Sequence, residues 1–140
     1  MIEVTFKVRF YETDMMQVVH HSNHLRWFEL GRVEYLRNAG ITLLDLIAKE
    51  GIVCPIKNVS CEYKEPARFD DFIVLETRMK KMSRAQVTFA YVMRRKSDGV
   101  LIAEGTTQNV FTYQESGKVA RLSDAYYGPL AAYAKENLRK

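Results

Sequence analysis

From its first residues the chain alternates apolar and polar positions. Ile2, Val4, Phe6, Val8 and Phe10 point one way, and Glu3, Thr5, Lys7, Arg9 and Tyr11 the other. A period of two over this length predicts a half-buried strand. An irregular stretch from Glu12 to His21 follows. The period then changes, and a helix is predicted over Asn23–Ala39, with Ser22 as N-cap and Gly40 as its stop. It would span about 26 Å at the α-helical rise. Its apolar residues are Leu25, Trp27, Phe28, Leu30, Val33, Tyr35, Leu36 and Ala39. They spread over more than one stripe, which predicts a helix covered on more than one side. Gly31 in its middle costs about 1 kcal/mol relative to Ala, and a close approach by a neighbour would account for it.

A shorter helix is predicted over Leu43–Lys49, between the cap Thr42 and the stop Gly51. Strands follow: Val53–Lys64 broken early by Pro55, then Phe72–Met82, Gln86–Lys96 and Val100–Tyr113. Met82–Ser83–Arg84 and Ser97–Asp98–Gly99 connect the later strands, the Asp-Gly pair being a strong hairpin signal. Gln114–Lys118, with Gly117, closes the last of them. Gly128–Pro129 opens a C-terminal helix through Leu138, with Pro129 at its first position. The order is strand, long helix, short helix, four strands in a meander, short helix: an α+β arrangement in which one sheet covers one apolar helix. Strands as long as Val100–Tyr113 suggest that the sheet continues across a subunit interface, so at least a homodimer is expected.

Composition narrows the class. The chain has 140 residues, 47% hydrophobic and 27% charged, which suits one domain spanning residues 1–140 with a single packed core. At this size a fold needs neither disulfide nor structural metal. Cys54 and Cys61, separated by six residues, lack a CxxC spacing and are expected as buried free thiols in strands. The N-terminus alternates where a signal peptide would be continuously apolar, and no run approaches a membrane span, so a cytoplasmic protein without membrane insertion is expected. Lys and Arg total 21 against 17 acidic residues, a net +4. That excess suits an anionic small molecule as well as nucleic acid.

Chemistry concentrates in Glu12-Thr-Asp-Met-Met-Gln-Val-Val-His-His-Ser-Asn-His24. Asp14, three His, Ser22 and Asn23 fall between a strand and the start of a buried helix. The first N–H groups of a helix lack intrahelical partners and sit at the positive end of its dipole, so they can hold an oxyanion. Asp14, seven residues before His21, would set a carboxylate base or nucleophile across from them. Asp14 fits equally a turn residue bonding its own backbone, and His21 a capping or packing residue. His20 and His24 have the i, i+4 spacing of metal ligands, with Asp14 as a third. The run lacks the Glu of a metalloprotease helix, and no metal or other cofactor is expected.

The run FKVRFYETDMMQVVHHSNHLRWFELGRVEYLRNAGI resembles the acyl-CoA thioesterases of the hotdog fold. Within them it is most similar to the 4-hydroxybenzoyl-CoA thioesterase-like branch, which includes the Tol-Pal-associated enzymes. The resemblance continues through Tyr63, Pro66-Ala-Arg-Phe-Asp-Asp71, Phe89–Tyr91, Asp98–Gly99, Ala103–Glu104–Gly105 and Gly117 to Leu122. It implies a five-stranded antiparallel sheet wrapped around a long central helix, assembled as homodimers or homotetramers. It also implies hydrolysis of a thioester to a carboxylic acid and free CoA, coenzyme A being part of the substrate. Asp14 then matches the catalytic carboxylate, nucleophile or general base, and His21 the His beside the thioester carbonyl. Backbone N–H groups there, among His20, Ser22 and Asn23, would hold the carbonyl oxygen. The family usually has Gly where this chain has Gln17 and Tyr where it has His24, departures that bear on the acyl pocket.

Candidates for the CoA phosphates are Arg68, Lys80–Lys81 with Arg84, Arg94–Arg95–Lys96, and Lys118 with Arg121. The two hairpin clusters should lie at opposite ends of the sheet, so one set at most can serve a given site. Two other readings stand beside the hydrolase: a hotdog hydratase or dehydratase, and a non-catalytic dimer binding acyl-CoA or acyl-carrier protein. A nucleic-acid module fits least, because Phe89, Tyr91, Phe111 and Tyr113 alternate as core material more naturally than as a stacking platform.

Overall fold

The computed structural model describes residues 1–137, so the helix end expected at Leu138 lies outside the described residues. The elements are β1 (Ile2–Lys7), a 3-10 turn (Phe10–Glu12), α1 (His21–Asn38), α2 (Leu43–Glu50), β2 (Ile52–Val53), β3 (Ile56–Tyr63), β4 (Phe72–Met82), β5 (Gln86–Arg95), β6 (Leu101–Val110), β7 (Thr112–Tyr113) and α3 (Asp124–Asn137). Five strands form one antiparallel sheet in the order β1-β4-β5-β6-β3. The α1 helix lies against one face of it. This is the hotdog arrangement, α+β. Among the described residues no helix is long and apolar enough to cross a membrane.

The core forms where α1 meets the sheet. Phe28 stacks on Tyr91 with centroids 4.2 Å apart, Tyr35 meets Phe89 edge-on, and Trp27 packs beside Phe6. Ile73, Leu75, Met93 and Ile102 fill the sheet side. Gly31 faces β4, where a Cβ would overlap the Thr77 hydroxyl and press on Leu75. The close approach inferred from this glycine is therefore present, made by a side chain.

Several expectations are corrected. The buried residues of α1 are Asn23, His24, Trp27, Phe28, Gly31, Tyr35 and Leu36, a single face, while Leu30 is exposed on the other. The helix starts at His21, and its N-cap is His20 in place of Ser22: the His20 ring accepts from the Ser22 backbone N–H. The first strand stops at Lys7, because the chain turns through the 3-10 segment and leaves Phe10 exposed. Pro55, which has no donor for a ladder, splits Val53–Lys64 into β2 and β3. The stretch Val100–Tyr113 divides at Phe111, whose N–H bonds the Ala85 carbonyl. β7 then leaves the main sheet to pair with β2.

The meander has three strands, β4-β5-β6, and β3 lies at the far edge beside β6. The C-terminal helix begins at Asp124, with the N–H groups of Tyr126 and Tyr127 both bonding the Ser123 carbonyl, so Pro129 falls inside it. Cys54 lies in the link between β2 and β3, outside any strand, and both free thiols are only partly covered.

Candidate active site

The loop after β1 is built from backbone bonds. Thr13 and Val19 form an antiparallel bridge, and the Asp14 N–H bonds the Val18 carbonyl at 3.0 Å. The Gln17 N–H returns to the Asp14 carbonyl at 2.9 Å, and Gln17 takes φ +65°. This is a three-residue hairpin loop ending on a left-handed residue, a position that favours Gly. Gln17 thus occupies a strained backbone position. The loop is tied on both sides: Val19 N–H to the Ala67 carbonyl (2.8 Å), and His20 N–H to the Glu12 carbonyl (2.9 Å).

Asp14 is half-buried. Its Oδ1 accepts the Met16 N–H at 2.8 Å, the local turn bond allowed for it above, and its other oxygen has no partner among the described residues. The turn bond expected of Asp14 is present, and it leaves one carboxylate oxygen open. His21 begins α1 and is exposed. The bridge sets Asp14 and His21 at opposite ends of this turn, and no hydrogen bond joins them.

The start of α1 narrows the choice of oxyanion donor. The Ser22 N–H is taken by His20 Nδ1 at 3.2 Å, and the Asn23 N–H by the His20 carbonyl at 3.0 Å. The His21 N–H has no partner among the described residues. His20 Nδ1 also lies 2.8 Å from Ser22 Oγ. His20, Ser22 and the Asn23 amide therefore shape the helix start. Asn23 Nδ2 donates to the Glu12 carbonyl at 2.8 Å.

Three residues not singled out as site residues support this corner. Glu12 is buried, and its carboxylate accepts the Arg9 N–H at 2.8 Å and Trp27 Nε1–H at 2.8 Å. The signal for it was the Arg9–Glu12 spacing of three, an i, i+3 ion pair across a tight turn. Tyr63 donates its hydroxyl to the His21 carbonyl at 2.8 Å, fastening the end of β3 to the first turn of α1. His24 is buried edge-on against Tyr63, 4.7 Å between centroids, with Nδ1 3.3 Å from the His21 carbonyl. Burial holds its pKa below the usual 6.5, so its neutral form is favoured. Around Asp14 the surface is apolar: Phe10, Tyr11, Met15, Met16 and Phe69 are all exposed.

The basic candidates separate clearly. Arg68 sits in the 66–71 segment that braces the loop through Ala67, next to Phe69, which meets Phe10 edge-on. Lys80 and Lys81 lie eight and nine residues along β4 from the site end at Phe72, about 26–30 Å away at the strand rise. They line a groove of about 510 Å³ with Asn58, Thr88 and Gln108. Arg84 is committed to structure: it bonds the Leu122 carbonyl and Asp124, and its guanidinium lies 4.4 Å from the Tyr127 ring. Lys118 and Arg121 flank the β7 turn, joined to the chain by the Thr112–Val119 bridge at that same far end. Arg95 is held by Asp71, Asp98 and the Pro66 carbonyl. Arg68 and the Arg94–Arg95–Lys96 cluster therefore lie at the Asp14 end of the sheet, Arg95 already held by its partners there, while Lys80, Lys81, Arg84, Lys118 and Arg121 lie at the other end.

Residues 8–130 match the thioesterase-like superfamily. A putative esterase of Aquifex aeolicus is 32% identical over 83% of this chain and 87% of its own length. A putative acyl-CoA thioesterase of Bacillus subtilis is 27% identical over 92% of each chain. Among solved structures, a DHNA-CoA thioesterase from Staphylococcus aureus superposes with a TM-score of 0.86 at 26% identity, covering 98% of this chain and 90% of that one.

Proposed function

The chain belongs to the thioesterase-like superfamily and is a thioester hydrolase, and from that premise we propose that it cleaves acyl-CoA thioesters at Asp14. The observation that carries the reading is the pairing of two unspent groups at one corner: an open Asp14 oxygen and the free His21 N–H at the positive end of α1. The His21 N–H donates to the carbonyl oxygen as it becomes an oxyanion. Asp14 either attacks the carbonyl carbon or takes the proton of an attacking water. In the first course CoA is expelled as thiolate, leaving an acyl anhydride that water then hydrolyses to the acid. In the second, water attacks the carbonyl directly and CoA again leaves as thiolate. His21 lines the same position with its ring. The chemistry needs only these groups and water, so no metal or cofactor is included.

Arg68 is the residue we assign to CoA phosphate contact within the chain. Assembly as a homodimer or larger is part of the proposal. It is supported by β3, an edge strand with Ile56, Val59 and Tyr63 all more than 40% exposed. In a dimer the far-end lysines of one copy could approach the site of the other. Placement in the 4-hydroxybenzoyl-CoA thioesterase-like and Tol-Pal-associated branch rests on the text of residues 6–41.

The test is thiol release from a panel of acyl-CoAs, with EDTA present, by wild type beside Asp14→Asn. Asn keeps the Oδ1 that Met16 uses, so the fold should stay within about 0.5 kcal/mol of wild type. Release should fall at least a hundredfold. Wild-type rates in the variant would sink the mechanism. Tight binding without any release, in either protein, would favour the acyl-CoA-binding reading.

A further inference from the structure

Tyr63 reaches the reactive corner from the sheet. It ends β3, and its hydroxyl donates to the His21 carbonyl at 2.8 Å, a bond between residues 42 positions apart. Its ring meets two histidines in the first turn of α1 edge-on: His24 at 4.7 Å between centroids, and His21 at 6.5 Å. Burial first, and the neighbouring Cys61 second, push the Tyr63 hydroxyl up to about 12. It therefore keeps its proton and acts as a donor near neutral pH.

The bond bears on the open amide at this helix start. The peptide plane joining His20 to His21 carries the unpartnered His21 N–H, and its carbonyl accepts the Asn23 N–H at 3.0 Å. The next plane joins His21 to Ser22. It is held at its N–H by His20 Nδ1, at 3.2 Å, and at its carbonyl by Tyr63, at 2.8 Å. Only two soft dihedrals, both at His21, separate the planes, so gripping both fixes where the free N–H points. The bonds that Glu12 and His20 make here are local in sequence, whereas the Tyr63 bond refers the turn to the sheet. Helix ends fray when left to themselves, and an oxyanion donor acts best when it is in place before charge develops.

Resting on the thioesterase reading, we propose that Tyr63 is a positioning residue for hydrolysis: its hydroxyl holds the first turn of α1 so that the His21 N–H stays aimed at the thioester oxygen. Tyr63 acts through His21, on the step in which negative charge develops. Its loss should therefore slow turnover and leave ground-state binding of the acyl-CoA as it was. A bond that only docked the end of β3 against α1 would lower stability and leave the turnover of the folded protein unchanged.

The experiment compares three full-length proteins: wild type, Tyr63→Phe, and a chain carrying 3-fluorotyrosine at position 63. Phe loses the hydroxyl and keeps the ring against His24, and fluorotyrosine keeps the donor. Thiol release from the acyl-CoA that wild type hydrolyses best gives kcat and KM, and nitrogen-15 relaxation gives the order parameter of the His21 amide. In Tyr63→Phe kcat should fall about tenfold, with KM within about twofold of wild type. The His21 order parameter should drop from about 0.85, a rigid backbone, toward about 0.6. The fluorotyrosine chain should recover both. Unchanged kcat in Tyr63→Phe, a loss confined to KM, or a His21 amide that stays rigid overturns the proposal. So does a fluorotyrosine chain as slow as Tyr63→Phe. A kcat loss that tracks the unfolded fraction in a thermal melt makes the bond structural and overturns it as well. If wild type hydrolyses no thioester, the thioesterase reading fails by itself, and the order parameters still decide whether Tyr63 holds the His21 amide.

Discussion

Replacing Glu12 by Gln removes one oxygen from the group that holds the Asp14 loop to α1. In wild type the buried carboxylate accepts from the Arg9 backbone and from Trp27 Nε1, each at 2.8 Å. Gln can accept only one of these with its carbonyl and turns an NH2 toward the other donor. One buried donor is left unmade, at about 1–3 kcal/mol, and the surviving bond loses its charge assistance. A total near 2 kcal/mol is expected, or roughly 5–10 °C in Tm for a domain of this size. Glu12→Ala strands both donors and should cost about twice as much. Urea unfolding followed by Trp27 fluorescence measures both, since the single Trp reports on the site of the change. Asp14→Asn serves as the control that alters activity and leaves the midpoint in place. A Glu12→Gln midpoint within 0.5 kcal/mol of wild type would refute the claim that this carboxylate organises the corner.

Other expectations follow from the same geometry. Gln17→Gly should stabilise the chain by about 0.5–1 kcal/mol by relieving the left-handed backbone, and thermal unfolding would show it; destabilisation would contradict the strain. Because burial favours neutral His24, its folded pKa lies below 6.5 and the unfolded chain binds the proton first as pH falls. Its contribution is complete above about pH 6.5 and is lost as pH drops through the folded value. A Tm series from pH 8 to 5 should therefore be steeper in wild type than in His24→Tyr, and parallel curves would count against it. Gly31→Ala should cost a net 1–2 kcal/mol, overpacking against Thr77 outweighing the gain in helix propensity. Adding Thr77→Ala should recover most of that, since the Thr77 hydroxyl has no partner to lose.

What could be read from the chain was what neighbours in sequence decide. Thr42 caps α2 through Oγ1 and Gly51 ends it in the left-handed region, both local choices, and β4 runs over Phe72–Met82 as its alternation predicts. The Asp98–Gly99 turn follows from φ +72° at Gly99 and the Asp98 Oδ1 bond to the Val100 N–H. Some misses were local, such as the N-cap at His20 and the break at Pro55, and others depended on distant partners. Phe111 leaves β6 because it bonds Ala85, and β3 lies beside β6 because of ladder pairings some fifty residues apart. At the site, Asp14 and His21 were legible as residue types in one loop. Glu12 was not, because its value lies in reaching Trp27 across the fold.

The backbone origin of the active loop has an evolutionary consequence. Its path is set by the N–H groups of Asp14, Val19 and His20, and the side chains of Glu12, Thr13, Asp14 and Asn23 pin it. Met15, Met16 and Arg68 contribute no side-chain bond to that path. A lineage can therefore exchange Met15 and Met16 without disturbing the backbone path, while the Asp14 carboxylate and the helix start keep their relative positions. Tolerance to substitution and constancy of backbone path are thus partitioned between the two faces of one short loop, so its outward side chains can drift without moving Asp14 relative to the start of α1.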